Sequence, residues 1–399
     1  MSLRVSLPPV RLAPRTPVDE HDEPMPLLDP CGARVILGTP NKSGAPASPI
    51  IPSARTLFGP RGAALAANGG PLVVSDTGHH RLMIWNTQPP VDDTPADLVI
   101  GQPHFLSEGR NGNAEAGPGT LSVPTGVAIE DGILAVADAW NHRVLLWRRI
   151  PDRSNQPADV VVGQADFRSV HANRGADTPE ADTLNWCYGV ALHAGRLYVA
   201  DTGNRRVLVW NEIPERNGSA ADLVLGQPDF VTRDEAAGRE PAAGLRWPHA
   251  VCFSGDSLFV ADAGASRVMV WSELPRRNGE PCGLVLGQSD FFGRDHNASE
   301  YHPTAASLNM PYGICAAAGQ LIVADTANSR LLGFHLGTLA MGRPASRLTG
   351  QRTFVCKGDN RWEAPARDSL CWPYGVCASG GTVAVADSGN NRVLLWDVT

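Results

Sequence analysis

Nowhere in these 399 residues does an apolar run approach the roughly 18 residues that cross a bilayer as a helix, so no membrane partner is expected. Eight cysteines form no C-x-x-C pair and are too sparse for a disulfide scaffold, which suits a reducing compartment. Pro8, Pro9 and Pro14 break any apolar core that a secretory leader would need, and acidic residues follow. Cytoplasm is the expected location, with residues 1–32 a poorly ordered N-terminal tail. Positive charge is in short supply: 34 Lys and Arg stand against 41 Asp and Glu, for a net charge of −7. A basic stripe that binds nucleic acid by neutralising phosphates is therefore not expected. No nucleophile elbow, phosphate-cradling Gly loop or H-E-x-x-H occurs, and the Gly-rich GNAEAGPG (112–119) follows no strand-to-helix pattern and reads as loop.

What the chain has is glycine, proline and repetition. Gly 41 and Pro 33 suit many short strands joined by turns, and 43% hydrophobic residues leave ample material for a core. One dozen-residue phrase occurs six times: VSDTGHHRLMIW at 74–85, VADAWNHRVLLW at 136–147, VADTGNRRVLVW at 199–210, VADAGASRVMVW at 260–271, VADTANSRLLGF at 323–334 and VADSGNNRVLLW at 385–396. Its aspartates (Asp76, Asp138, Asp201, Asp262, Asp325, Asp387) are separated by 62, 63, 61, 63 and 62 residues. A G-Q-x-x-F element keeps the same period at Gly101, Gly163, Gly226 and Gly287, and as Gly350 in GQRTF. So does P-x-G or a near variant, at Pro60, Pro124, Cys187, Pro248, Pro311 and Pro373. Three markers on one period specify a repeat architecture.

Within the third unit four short runs, 189–193, 196–200, 206–210 and 221–226, are rich in Val, Leu, Ile and aromatics and bounded by Gly, Asn, Asp or Pro. They are apolar on both faces, as in a sheet covered on both sides. Four strands per unit and six units predict an all-β, six-bladed β-propeller over 33–399. The last unit shows three strands only, while GARVILGTP (32–40) matches a fourth strand and lies one period before Gly101. Residues 33–38 are thus expected to complete the last blade and close the ring. The recurrent Asp is expected to accept turn amides, as Asx residues do, with the Arg five positions on paired to it or to a neighbouring blade.

The phrase VADxxNxR followed by an apolar strand resembles the signature of the NHL repeat family, over about residues 33–399, and the VLGQPDF element with its Pro-rich lead-in is similar to bacterial members with long blades. The resemblance implies a propeller. For activity it implies a wide range: protein- and RNA-binding propellers, sensor ectodomains and a metal-dependent lyase.

A propeller gathers its crossing segments and its turns between second and third strands on one face. Here the crossing segments run about 20 residues and differ between copies, as functional loops do. The middle residue of P-x-G is expected to form a ring at the channel mouth: Arg61, Thr125, Tyr188, His249, Tyr312 and Tyr374. The preceding position adds Trp186, Trp247, Met310 and Trp372, and Trp140 occupies a turn position where other copies carry Gly or Ala. Such a mouth could hold a sugar, a peptide side chain or a cation by stacking and cation–π contact; alternatively its aromatics seal the channel and pack the blade tips. Cys252, Cys315 and Cys377 share one position, but the other blades carry Ala64, Ala128 and Ala191 there, which reads as packing of small residues.

A metal at the mouth is the lesser alternative. The NHL-type lyase places histidines from several blades around its metal, and here only His249 has a matching position, with His171, His296 and His302 on crossing loops. Six-bladed gluconolactonase-like enzymes hold Ca²⁺ with carboxylates and amides, and no Glu or Asn stands at the ring positions. The expectation is a monomeric binding scaffold without cofactor, metal or catalytic residue, recognising a protein, peptide or small-molecule ligand at the mouth. The alternative is a metal-assisted lyase or hydrolase lined by His249, Arg61 and the tyrosines.

Overall fold

The computed structural model describes residues 24–38, 50–235 and 240–399. Six four-stranded antiparallel blades follow one another along the chain, and in the first five the strands run in sequence order from the channel outward. The third blade is typical: Cys187–His193 lines the channel, then Arg196–Asp201, Arg206–Trp210 and Leu223–Leu225 step outward. Short 3-10 turns such as Thr202–Asn204 join the second and third strands. Adjacent blades bury their facing side chains in shared clusters, for instance Val144, Leu146, Val190, Val199, Leu208 and Trp210 between the second and third. Both faces of each inner and middle strand are therefore apolar, as the doubly covered sheets require.

The ring closes as the sequence predicts. Val35–Leu37 pairs antiparallel with Arg392–Asp397, with Val35 opposite Leu395, supplying the last blade's fourth strand. Trp85, Trp147, Trp210 and Trp271 each donate their indole N–H to a carbonyl nine residues on; Trp396 instead donates to Asp29 O at 2.8 Å. The N-terminal segment thus takes over a bond that the other blades make internally.

Residues 24–32, expected as tail, are part of the fold, and residues 1–23 lie outside the described residues. Met25–Pro26 forms a fifth, parallel strand on the outer strand of the fifth blade, Arg347–Thr349. Leu27 and Leu28 are fully buried behind it. The reason lies in Gly333, where the phrase ends in GF rather than in a large apolar residue and Trp: a side chain there would meet Leu27 Cδ1 at 2.6 Å. The missing Cβ admits Leu27.

Candidate functional site

The recurrent Asp and Arg are a clamp on the loops of the mouth. Every one of these twelve side chains is buried. Arg206 Nε lies 2.8 Å from Asp201 Oδ2 within its own blade, and the other blades repeat the pair at 2.7–3.2 Å. The expected bond to Asp from its turn's backbone amides is absent in all six copies; the turn reaches Asp Oδ2 through a side chain, with Asn141, Asn204, Asn328 and Asn390 donating at 2.7–2.8 Å. Asp Oδ1 instead accepts an amide of the crossing loop just ahead of the inner strand, from Phe58, Ser122, Asn185, Arg246, Asn309 or Cys371, at 2.6–2.9 Å. Arg206 adds bonds to the carbonyls of Glu180 and Thr183 in the same loop. It also reaches the carbonyl of Phe230, the Phe of G-Q-x-x-F. The Gln of that element ties turn to loop in turn: Gln164 Nε2 donates to His142 O and His171 O. A buried ion pair fully supplied with hydrogen bonds holds its partners in one geometry.

A second ring of bonds joins each turn to the next blade. The fifth turn residue is left-handed in all six copies, at φ +48° to +57°: His80, His142, Arg205, Ser266, Ser329 and Asn391. Five of these side chains accept a backbone N–H from the neighbouring blade's mouth: His80 from Val123, His142 from Trp186, Ser266 from Met310, Ser329 from Trp372 and Asn391 from Gly59. Arginine has no acceptor. At Arg205 the amide of Trp247 turns back to Asp262 Oδ1, at 2.9 Å. Burial lowers the pKa of His142 to about 4, with His171 adding to the shift, so its Nδ1 is free to accept. This latch is not visible in the repeat phrase, because only the acceptor atom and the backbone conformation are shared.

These devices bring the six ring residues together at the head of a channel cavity of about 330 Å³. Tyr188, His249, Tyr312 and Tyr374 stack in series, with centroids 4.9, 4.4 and 4.5 Å apart and planes inclined by 25–28°. Arg61 Cζ caps the series 4.9 Å from the Tyr374 ring, and Thr125 closes it with Oγ1 donating to Tyr188 O at 2.8 Å. The ring faces are thus largely occupied by each other. Burial in the channel lowers His249 to about 4, with Arg61 contributing, and raises the phenols of Tyr312 and Tyr374. His249 is neutral and the phenols remain donors. Below the ring, Gly62, Gly189 and Gly313 would each put a Cβ within 2.3 Å of the next inner strand's carbonyl, which explains the P-x-G glycine. Cys252, Cys315 and Cys377 line the same wall with the alanines, and burial pushes all three thiols up, Cys377 to about 12.

The tryptophans stand outside the ring on the loop face and are about half exposed: Trp186 51%, Trp372 48%, Trp247 44% and Trp140 43%. Arg110 Cζ lies 4.1 Å from the Trp140 ring. The histidines do not gather. His249 is held between two tyrosines, His171 is a neighbour of His142, His296 bonds Ser266 Oγ and His302 packs edge-on to Tyr301. Among the described residues no three His, Cys, Asp or Glu side chains converge as metal ligands would.

The family model for the NHL repeat matches residues 370–394, which span the inner two strands, the turn and the start of the third strand of the last blade. The last blade thus carries an NHL repeat, and the chain is a six-bladed propeller similar to NHL-repeat proteins. Over 386 residues, 87% of the chain, it is 24% identical to NHL repeat-containing protein 2 of Gallus gallus, and over 363 residues, 82% of the chain, 24% identical to that of Homo sapiens. It spans about half the length of these relatives, 47% and 45%. A Bacteroides thetaiotaomicron protein of unknown function has a similar solved fold, with TM-score 0.52 at 12% identity over 92% of this chain and 75% of that one.

Proposed function

We propose that this propeller is a binding scaffold that receives a protein or peptide on its loop face, centred on the channel mouth. The observation that carries the reading is the half-exposed set Trp140, Trp186, Trp247 and Trp372 around one cavity, on loops fixed by buried ion pairs. Tryptophan, tyrosine and arginine dominate the energetic centres of interfaces because they bury large area at small entropic cost. Rigid loops add to affinity, since little ordering remains to be done on binding. A nucleic-acid partner is disfavoured by net charge −7 and by the burial of six arginines in the clamps.

The test is quantitative capture of partners from cells expressing the chain, comparing wild type with W186A/W247A/W372A. Removing three such side chains is expected to lower partner recovery by about tenfold or more while leaving the melting temperature nearly unchanged, because all three are half solvated already. Undiminished recovery would overturn the reading.

A further inference from the structure

We propose that the channel mouth selects a carboxylate group, which Arg61 and the neighbouring hydroxyls receive. The inference rests on the reading of the mouth as a binding site and names the chemistry that enters it.

Two observations converge. First, Arg61 is the one formally charged side chain lining the cavity among the described residues, and no Asp or Glu lines it. Its guanidinium touches the face of Tyr374 and has no hydrogen-bond or carboxylate partner among the described residues, so its donors remain available. That is unlike the six clamp arginines, each paired to an Asp. A guanidinium fork in a low-dielectric wall is suited to a carboxylate, which it can bind through two parallel hydrogen bonds.

Second, the stacking of the ring removes most of the faces that its aromatics would ordinarily offer. A cation or a sugar needs an open aromatic face. Here Tyr312 is covered on both sides by His249 and Tyr374, His249 by Tyr188 and Tyr312, and Tyr374 by Tyr312 and Arg61. Rings stacked around a channel turn their edges to its axis, and the aromatic edge carries the positive end of the quadrupole. Edges, protonated phenols and the guanidinium all favour negative charge.

A carboxylate can arrive as a small organic acid or as the C-terminus of a peptide, and the two are separated by experiment.

Calorimetric titration of the full chain compares four probes: acetate with benzoate, a pool of random pentapeptides with free C-termini, the same pool amidated, and choline. Free-acid probes are expected to bind and amidated peptides and choline not to. The R61Q variant is expected to lose free-acid binding about 10- to 100-fold, the cost of removing a charged hydrogen-bond donor. Its melting curve serves as the folding control. Binding of the acid peptides but not of acetate or benzoate assigns the carboxylate to a chain terminus; binding of the small acids alone assigns it to a metabolite. Absence of free-acid binding, equal binding of acid and amide, preference for choline, or acid binding unchanged in R61Q each overturns the inference. Peptides that bind independently of Arg61 yet are lost in W186A/W247A/W372A would overturn it while leaving the binding face intact. Peptides indifferent to both variants would overturn the two together.

Discussion

At the residue scale the chain divides its arginines between two tasks. The clamp arginines are buried, paired and identical in every blade, whereas Arg61 occurs once and faces the cavity. Replacing Asp201 by Ala leaves Arg206 buried without its counter-ion and releases the amide of Asn185, next to Trp186. A loss of about 3–5 kcal/mol is expected, visible in urea denaturation. The clamp was legible as six recurring Asp and Arg, although the backbone amide that Asp accepts belongs to the crossing loop rather than to its own turn. The latch was not legible, because histidine, serine and asparagine serve equally as acceptors there.

The latch also predicts a pH effect. His142 is held near 4 when folded, against an ordinary value of 6.5. Between these values the unfolded chain binds the extra proton, so its contribution to stability is present above pH 6.5 and is lost as pH falls to about 4. Ser266 and Ser329 make the same bond without titrating. The variant H142S should therefore flatten the melting temperature against pH across that window relative to wild type. Parallel curves would contradict the role given to His142.

At the scale of elements, closure of the ring was readable because a fourth-strand phrase stands one period ahead of the first blade. The added strand Met25–Pro26 was not, since two residues carry no periodicity. A signal was nevertheless present in the departure at Gly333, which only the neighbouring Leu27 explains. Leu27→Ala should cost about 2–5 kcal/mol, as for other fully buried leucines. Gly333→Leu should cost a similar amount by driving a side chain into Leu27. Chemical denaturation of both variants checks the pairing; a neutral L27A would mean that the strand adds nothing to the fifth blade.

At the scale of the molecule, the propeller holds one differentiated face. The ring positions were found from sequence because they vary inside a constant P-x-G frame, and the structure gathers all six at one cavity. Their mutual stacking could not be read from spacing, which gives positions around the channel but not which way a ring turns. The half-exposed tryptophans follow from the same frame: the residue before each inner strand is pinned by its amide, to the neighbouring blade's latch or, at Trp247, to its own Asp262, and its side chain is left outside.

Whether the loop face receives a partner is decided by photo-crosslinking. A photoreactive residue is placed at Trp186 or Trp247 on the loop face, and at exposed Glu212, between the third and outer strands, on the opposite one. A discrete adduct is expected from positions 186 and 247, absent from 212 and lost when W372A is added. Adducts of equal yield from both faces, or from position 212 alone, would contradict it.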